Sequence, residues 1–405
     1  MLELKNSPRK AKVMRGKYRA GKRFTKRQHQ TMYTVQMNAV EGDQLVAKRI
    51  AVVGAGVNGT SIATACAKRG CEVVLFDAGI PFAETSSKSS RMLHGGIRYL
   101  EQGHIKLVRE ALKEREEWQR IAPDATRVER FFFPIYNDSP RGRTTLFAGA
   151  LLYQWLAGRY SLGRSQLHSK NELLEAFPIL SPENLKGGIS YCDLVMDDQV
   201  MAEHLLAEAQ SSGVTVHSHS CVSHLTTDGS LRVNDETLQF DRVINAAGPW
   251  ASEILMESNI ASQFTISHVR GSHLLLDLTL PHALVFQVPD DGRIVFCIPQ
   301  SNSKVLLGTT ECAHDLKAPI NCTDAEVDYL LTILNKHIQP VVGREHITAT
   351  LSGVRPIAKA RNAQLQNMSR ASRDSEIEVV NSLINVFGGK WTSARHLGRK
   401  VASVI

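Results

Sequence analysis

A glycine-rich turn between two β-branched segments is the feature that most limits how this chain can fold. Residues 49–53 are apolar and continuous, which predicts a buried parallel strand. Gly54, Gly56 and Gly59 follow at once, in the spacing that permits a tight turn, close approach of a phosphate and close helix packing. A second predicted strand ends in Asp77, whose carboxylate can accept both hydroxyls of a ribose. The segment therefore predicts a dinucleotide-binding βαβ unit, and the acid disfavours NADP.

The segments that follow favour FAD over NAD as the dinucleotide. Residues 86–100 combine hydroxyls and glycines with His94, Arg98 and Tyr99, which suits a backbone that lies close to a flavin. Two later predicted strands end in small residues and in a Gly-Gly turn, after which we expect Lys390 to open a helix. The predicted FAD-binding residues are Gly54, Gly56, Gly59, Asp77, Ser86, Ser87, Ser90, His94, Gly95, Ala247, Gly248, Gly389, Lys390 and Thr392.

Cofactor elements at the start, middle and end of the chain predict a discontinuous domain. The predicted fold class is α/β, with a Rossmann-like FAD-binding domain and an antiparallel β-sheet substrate domain. We expect residues 46–112, 186–253 and 346–405 to form the FAD-binding domain. Residues 113–185 and 254–345, which include alternating strand patterns, are expected to form the substrate-binding cap.

The sequence landmarks resemble those of the FAD-dependent glycerol-3-phosphate dehydrogenase family from about residue 49 to the end. The matching motifs are His-Gly-Gly-Ile-Arg-Tyr-Leu at 94–100, Asp-Asp at 197–198, Asn-Ala-Ala-Gly-Pro-Trp at 245–250, Gly-Ser-His at 271–273, Gly-Thr-Thr at 308–310, Ser-Gly-Val-Arg-Pro at 352–356, Arg-Asp at 373–374 and Gly-Gly-Lys at 388–390. Two features depart from the family. Glu311 stands where an Asp is usual, and the family commonly continues into a helical domain after the last motif, whereas this sequence stops at Ile405, so we expect a short form.

The resemblance implies an enzyme that oxidises sn-glycerol 3-phosphate to dihydroxyacetone phosphate. A hydride would pass to flavin N5, and the electrons would go on to a quinone or another acceptor. Two alternatives stay open: an FAD-dependent amine or amino-acid oxidase of related fold, and a flavoprotein that binds FAD without turnover. An amino-acid oxidase would need fewer cations, because it binds no phosphate. The number of motifs that contain Arg or Lys therefore favours glycerol-3-phosphate oxidation.

The resemblance also implies roles for particular residues. The residues expected to line the substrate pocket are Arg98, Tyr99, Arg355, Arg373 and Lys390. His273 is the candidate general base, although a His on an apolar strand is also common as a core residue. Arg355 is expected to stabilise the developing alkoxide, and His94 to hydrogen-bond the flavin.

The positive charge of the chain is confined to its N-terminus, which argues against a nucleic-acid partner. The net charge of the 405 residues is +8, but residues 1–40 hold eleven basic residues and one acid. The remainder is close to neutral. We expect residues 1–45 to form a basic, disordered tail. An organelle transit peptide, a phosphate-binding arm and a true translation start at Met37 are the alternatives.

The remaining composition bears on compartment and membrane. Seven scattered cysteines without a CxxC motif indicate a reducing compartment and no metal site. No apolar stretch is long enough to span a bilayer, and the most apolar one, 146–157, is either a buried helix or a membrane-facing surface. The predicted location is cytoplasmic, with peripheral association on the inner face of the cytoplasmic membrane left open.

Overall fold

The described residues of the computed structural model, 47–301, 303–361 and 375–405, are built around two large β-sheets. The predicted tail at 1–45 and Arg373 lie outside these ranges. The strands are β1 Arg49–Val53, β2 Glu72–Phe76, β3 Met92–Leu93, β4 Thr126–Tyr136, β5 Gln166–His168, β6 Leu185–Met196, β7 Thr215–His217, β8 Val222–Leu225, β9 Ser230–Val233, β10 Glu236–Gln239, β11 Arg242–Asn245, β12 Phe264–Asp277, β13 Ala283–Gln287, β14 Ile294–Pro299, β15 Lys304–Gly308, β16 Cys312–Ala313, β17 Ile347–Ala360, β18 Glu376–Val380 and β19 Leu383–Phe387. The α-helices are α1 Val57–Ala67, α2 Ile105–Ile121, α3 Arg143–Ala157, α4 Lys170–Ala176, α5 Asp198–Ser211, α6 Ala251–Glu257, α7 Asp324–Asn335 and α8 Ala394–Ala402.

The first sheet has the strand order β18-β19-β11-β1-β2-β7 and is parallel except for β18. Helices α1, α5 and α8 pack together on one face, over a core that includes Ile50, Val52 and Ile62. A small antiparallel sheet, β10-β9-β8, and helix α6 cover the other face. Since β1, β2, β11 and β19 are parallel, their carboxyl ends meet at one edge, which is where such sheets bind ligands.

The second sheet has the order β16-β12-β15-β14-β13-β4-β6-β3, with β17 paired to β12 and β5 to β6. Its pairs are antiparallel except for β13 with β4. Successive residues of β4 face opposite sides: Phe132 packs into a core under α7, whereas Phe131 and Phe133 pack under α2 and α3. The predicted α/β fold class, with a Rossmann-like unit and an antiparallel sheet, is confirmed.

The predicted domain boundaries stay a prediction, and two strands bear on them. β6 and β17 fall in segments that we expected in the FAD-binding domain, and both pair within the second sheet. β17 also contacts β19 of the first sheet, and β6 is followed by α5, which packs on that sheet, so sequence position alone does not separate the two domains.

One predicted helix start is wrong. We expected Lys390 to open the last helix, but α8 begins at Ala394 and Lys390 lies in the loop before it. The reason is the intervening Trp391, whose ring is buried between Phe82 and Trp118 and whose indole N–H donates to the Ser86 carbonyl oxygen at 2.9 Å. Burial of this side chain holds the backbone in a turn until the helix begins.

The apolar segment at 146–157 forms most of α3, and only one side of that helix is buried. Ala150, Tyr153 and Leu156 pack inward. Trp155 is 75% exposed and Leu151 44% exposed on the opposite side. The expectation of a buried helix therefore holds for one face only. Within the described residues, no helix combines the length and the apolar character needed to cross a bilayer.

Candidate active site

A cavity of about 970 Å³ opens at the carboxyl edge of the first sheet and extends to the second. The ends of β1, β2, β11 and β19 supply Gly54, Asp77, Gly248 and Gly389 to its wall. Residues from β14, β17 and the loop after β15 complete the opposite wall. The cavity is therefore lined by both sheets, as expected of a site that holds a dinucleotide and a substrate together.

The turn after β1 has the shape that a bound pyrophosphate requires. Gly54 has a φ of +97°, and a Cβ there would lie 2.6 Å from the Ala246 carbonyl oxygen. A Cβ on Gly59 would overlap the Gly54 carbonyl oxygen, so helix α1 packs directly on the turn. Gly56 lines the cavity, and a Cβ there would lie 3.1 Å from the Ser86 hydroxyl oxygen. The N-terminus of α1 thus offers N–H groups to an anion.

The acid at the end of β2 is held in place by the backbone. The two carboxylate oxygens of Asp77 accept hydrogen bonds from the N–H of Ala55 at 2.7 Å and of Gly79 at 2.9 Å. Each carboxylate oxygen has further lone pairs for ribose hydroxyls. Together with the glycine turn, this arrangement fits the adenosine half of FAD.

The hydroxyl-rich segment and the C-terminal loop close around the start of α1. Ser86 is buried, and its hydroxyl accepts a hydrogen bond from the Val57 N–H at 3.0 Å. The Asn58 amide donates to the Gly388 carbonyl at 3.1 Å, and its own carbonyl oxygen has no partner among the described residues. This buried acceptor, which also lines the cavity, is consistent with a hydrogen-bonding ligand there.

Three of the predicted FAD-binding residues do not line the cavity. Gly59 serves the packing of helix α1 on the turn. Ser87 donates its hydroxyl to the Ala83 carbonyl at 2.7 Å, on the outside of the loop. Gly95 is buried, and its N–H donates to the Tyr153 hydroxyl at 2.7 Å. The predicted residues that do line it are Gly54, Gly56, Asp77, Ser86, Ser90, His94, Ala247, Gly248, Gly389, Lys390 and Thr392.

A buried polar network supports the His94–Gly95 segment from behind. The Tyr153 hydroxyl, which accepts from Gly95, donates to Asp193 at 2.7 Å. Asp193 also forms a buried ion pair with Arg115 at 2.8 Å. On the cavity side, the His94 N–H donates to the Thr392 hydroxyl at 3.2 Å. The backbone of this segment is therefore held from both sides.

The second sheet brings two guanidinium groups to one carboxylate. Arg355 donates to Glu311 at 3.0 Å and to the Thr309 hydroxyl at 3.3 Å. Arg293 lies 3.7 Å from the other oxygen of Glu311 and donates to the Thr309 carbonyl at 3.0 Å. Sequence reasoning missed Arg293, because its only signal is that it precedes a predicted strand. Glu311, the departure from the family motif, is the shared partner of both arginines.

The remaining predicted substrate residues gather on the opposite wall. Arg98, Tyr99 and Lys390 all line the cavity, and the Lys390 ammonium lies 4.6 Å from the centre of the Tyr99 ring. Gly96, with a φ of +72°, is needed here because a Cβ would overlap the same ring. Four of the five predicted substrate residues are thus brought to one cavity, and Arg373 lies outside the described residues.

His273 lies behind the cavity wall rather than on it. Its Nε2 is 2.9 Å from the hydroxyl of Ser90, which does line the cavity. Its Nδ1 is buried and has no hydrogen-bond partner in the described part of the chain. Burial, together with the positive charges of Arg355 and Arg91, lowers the pKa of His273 to about 3. The imidazole is therefore neutral near pH 7, and Ser90 stands between it and the cavity.

A glycine turn, an acid at the end of β2 and a second sheet that closes the cavity define a flavin-dependent oxidoreductase fold. Residues 49–403 match the family described as FAD dependent oxidoreductase, and the chain belongs to this family. FAD, predicted from the sequence, is the cofactor of that family.

Similar proteins fall among the glycerol-3-phosphate dehydrogenases, as the sequence resemblance predicted. An aerobic glycerol-3-phosphate dehydrogenase of Staphylococcus saprophyticus is 29% identical over 372 residues, covering 88% of this chain and 66% of the relative. One from Staphylococcus aureus matches equally. This chain therefore spans slightly less than two thirds of the length of these relatives.

Solved structures share the fold at lower identity. A glycerol-3-phosphate dehydrogenase from Bacillus halodurans complexed with FAD has a TM-score of 0.70 at 23% identity, covering 89% of this chain and 64% of that one. An L-α-glycerophosphate oxidase from Mycoplasma pneumoniae has a TM-score of 0.69 at 19% identity, with 88% and 94% covered. A glycine oxidase from Bacillus cereus has a TM-score of 0.67 at 15% identity, with 88% and 94% covered.

Proposed function

We propose that this protein oxidises sn-glycerol 3-phosphate to dihydroxyacetone phosphate, with FAD as the cofactor. The observation that carries the proposal is that Arg98, Arg293, Arg355 and Lys390, which come from distant parts of the chain, are among the residues that line one cavity. A phosphate dianion needs more positive charge than a single carboxylate, and Arg can hold it with two parallel hydrogen bonds. The names of the similar proteins support the same substrate.

When bound, FAD supplies the acceptor at N5 for the hydride that leaves the carbinol carbon. The turn at Gly54, the acid Asp77 and the loop at Gly389 are the groups that would hold it. On the substrate side, we propose that Arg98 and Lys390 bind the phosphate. The Arg355 fork, fixed by Thr309 and Glu311, would face the reacting oxygen and stabilise negative charge that develops on it.

The hydroxyl proton needs an acceptor, and we propose the Ser90–His273 pair for this role. Ser90 would take the proton from the substrate oxygen as its own hydroxyl proton passes to Nε2 of His273. The low pKa of His273 makes it a weak base in the protein without substrate. The negative charge that develops on the substrate oxygen beside Arg355 would offset one of the charges that lower this pKa.

Glu311 supports a second candidate function. A carboxylate that faces the cavity could bind the ammonium group of an amine or amino acid, and Arg355 could bind a carboxylate. In the structure, however, Glu311 lies between Arg293 and Arg355 and is already engaged by them. Two guanidinium groups share this one carboxylate, so the group as a whole is positively charged, which favours a phosphate substrate.

We further propose that the electrons pass to a quinone and that the protein associates peripherally with the inner face of the cytoplasmic membrane. The exposed apolar side of α3 supports such a contact. A quinone dissolves in the bilayer, so an enzyme that reduces one must reach the lipid surface.

Anaerobic reduction of the bound flavin tests the proposed substrate directly. The protein purified with FAD should lose its flavin absorbance when sn-glycerol 3-phosphate is added. If the absorbance persists while dithionite still reduces the flavin, the proposal is wrong for this substrate. Bleaching by glycine or another amino acid, but not by glycerol 3-phosphate, would instead establish the second candidate.

A further inference from the structure

Helix α3 presents an apolar stripe to solvent. Its exposed residues Ala148, Leu151, Leu152 and Trp155 follow the spacing i, i+3, i+4, i+7 and so lie on one face. Trp155 is 75%, Leu151 44% and Leu152 38% exposed. The neighbouring strand β5 adds Leu167, which is 47% exposed. We call these five residues the α3 face. A cluster of this kind, with an exposed Trp at its centre, marks an interaction surface.

The chain segment that carries the α3 face has charged residues of one sign. The sequence from 139 to 171 contains five Arg or Lys residues and no Asp or Glu. Four of them, Arg143, Arg159, Arg164 and Lys170, are exposed, whereas Arg141 pairs with Glu101. The acid that acts electrostatically on Arg159 is Glu116, from helix α2. The segment that carries the apolar stripe is therefore basic.

The position of Arg143 argues that this charge does not serve the helix itself. Arg143 is the first residue of α3, whose first turn holds no acid. A cation at a helix N-terminus opposes the helix dipole, which favours acidic residues there. Arg143 is therefore better explained by a negatively charged partner outside the protein.

We propose that the α3 face binds the surface of an anionic lipid bilayer. Trp155, Leu151 and Leu152 would enter the boundary between headgroups and acyl chains, and the four exposed basic side chains would contact the headgroup phosphates. This deepens the peripheral membrane association proposed above by naming the surface and the lipid charge. It is independent of the proposed substrate.

The buried side of α3 connects this surface to the active site. Tyr153, on that side, accepts the hydrogen bond from the Gly95 backbone. Helix α3 also contacts the 3-10 helix Ile97–Gln102, which carries Arg98 and Tyr99 into the cavity. A bilayer bound at α3 would therefore lie one helix away from the substrate wall of the cavity.

Vesicle sedimentation with the full chain tests the proposal. The wild type should sediment with phosphatidylcholine vesicles that contain phosphatidylglycerol and should bind pure phosphatidylcholine vesicles much more weakly. The variant Leu151→Gln/Trp155→Gln should bind the anionic vesicles with an affinity that is lower by a factor of roughly 10 or more, because it loses two apolar anchors. Arg159→Glu/Arg164→Glu should weaken binding similarly and reduce its salt dependence.

The controls separate the α3 face from other parts of the molecule. Met256→Gln changes an apolar residue of α6 that is 59% exposed and should leave vesicle binding unchanged. Unchanged binding by the α3 variants would overturn the proposal and assign lipid binding to the basic residues at 1–40, which all variants retain. No binding by the wild type, or equal binding to both vesicle types, would also overturn it.

Two further measurements distinguish a lipid-binding surface from a dimer interface and from loss of folding. If the wild type is a dimer without lipid and Leu151→Gln/Trp155→Gln is a monomer, the α3 face is a self-association surface and the proposal is wrong. Retained flavin absorbance and an unchanged unfolding midpoint show that the variants are folded. Flavin bleaching by glycerol 3-phosphate is measured without vesicles, so failure of lipid binding and failure of the proposed activity are distinguishable.

Discussion

At the scale of single residues, the guanidinium of Arg355 is the group most closely tied to the proposed chemistry. Strand β17 presents it to the cavity, and its hydrogen bonds to Glu311 and Thr309 fix its orientation. Arg355→Lys keeps the charge but cannot make both bonds in one plane. We expect kcat/KM for glycerol 3-phosphate to fall roughly 100-fold or more, with FAD content unchanged. Arg232→Lys, at an exposed ion pair, is the control. Equal kcat/KM for Arg355→Lys and wild type would contradict the role.

Glu326 has a structural role that the sequence did not reveal. Its carboxylate, on α7, accepts hydrogen bonds from Ser272 at 2.9 Å and Thr310 at 2.7 Å, and pairs with Arg270 at 2.7 Å. Burial by itself would raise the pKa of Glu326, but the hydrogen bonds from Thr310, Thr323 and Ser272 lower it to about 2. Glu326 thereby joins α7 to the strands that carry His273 and to the loop that carries Glu311.

Glu326→Gln should destabilise the protein, because it leaves the Arg270 charge buried without its partner. We expect the free energy of unfolding to fall by about 3 kcal/mol in chemical denaturation. Asp324→Asn, on the same helix, removes an exposed ion pair with Arg344 and should cost less than about 1 kcal/mol. Similar losses in the two variants would show that the buried network contributes no more than the surface pair.

At the scale of elements, the β1–α1 turn combines a local pattern with a tertiary contact. Its strand, predicted at 49–53, is β1, and the helix expected after the glycine turn is α1; both follow from apolar patterning and the glycine spacing. The same local reasoning failed at Lys390, because α8 is delayed by the burial of Trp391 between distant rings. Elements set by their own residues were predictable, and an element end set by a distant contact was not.

Gly54→Ala and Gly70→Ala form a matched pair that tests the turn. Both glycines have positive φ, +97° and +86°, so both substitutions strain the backbone by about 1 kcal/mol. Only the Cβ at position 54 meets a neighbour, the Ala246 carbonyl oxygen at 2.6 Å. We expect Gly54→Ala to be purified with little FAD and Gly70→Ala with a full complement, judged from the ratio of flavin to protein absorbance. Full FAD occupancy in Gly54→Ala would contradict the proposal that the turn at Gly54 binds FAD.

At the scale of the whole molecule, buried histidines make the fold sensitive to acid. The pKa of His273 is about 3 in the folded protein, where burial is the main cause, against an ordinary value of 6.5. Between these values the unfolded chain binds a proton that the folded protein does not. Stability should therefore fall as pH drops below 6.5, by up to about 1.4 kcal/mol per pH unit for this one group. Burial also lowers the pKa of His337 and of His168, so these two groups change the stability with the same sign.

The contribution of His273 can be separated by substitution. His273→Asn removes the titrating group, so its unfolding free energy should depend less steeply on pH between 6.5 and 5 than that of the wild type. The other histidines titrate alike in both proteins and cancel in the comparison. Parallel curves, whatever their vertical offset, would mean that His273 takes up a proton in the folded protein as readily as in the unfolded one.

The sequence by itself determined the βαβ unit at the start of the fold. Gly54, Gly59 and Asp77 belong to one short segment, in which backbone conformation and hydrogen bonding depend on near neighbours. The tertiary structure alone decided three other features: the pairing of Arg293 with Glu311, the position of Ser90 before His273, and the exposure of Trp155. These join residues far apart in the chain, or depend on which helix face is covered. Local sequence patterns do not predict such contacts, because the contacts depend on how the two sheets pack.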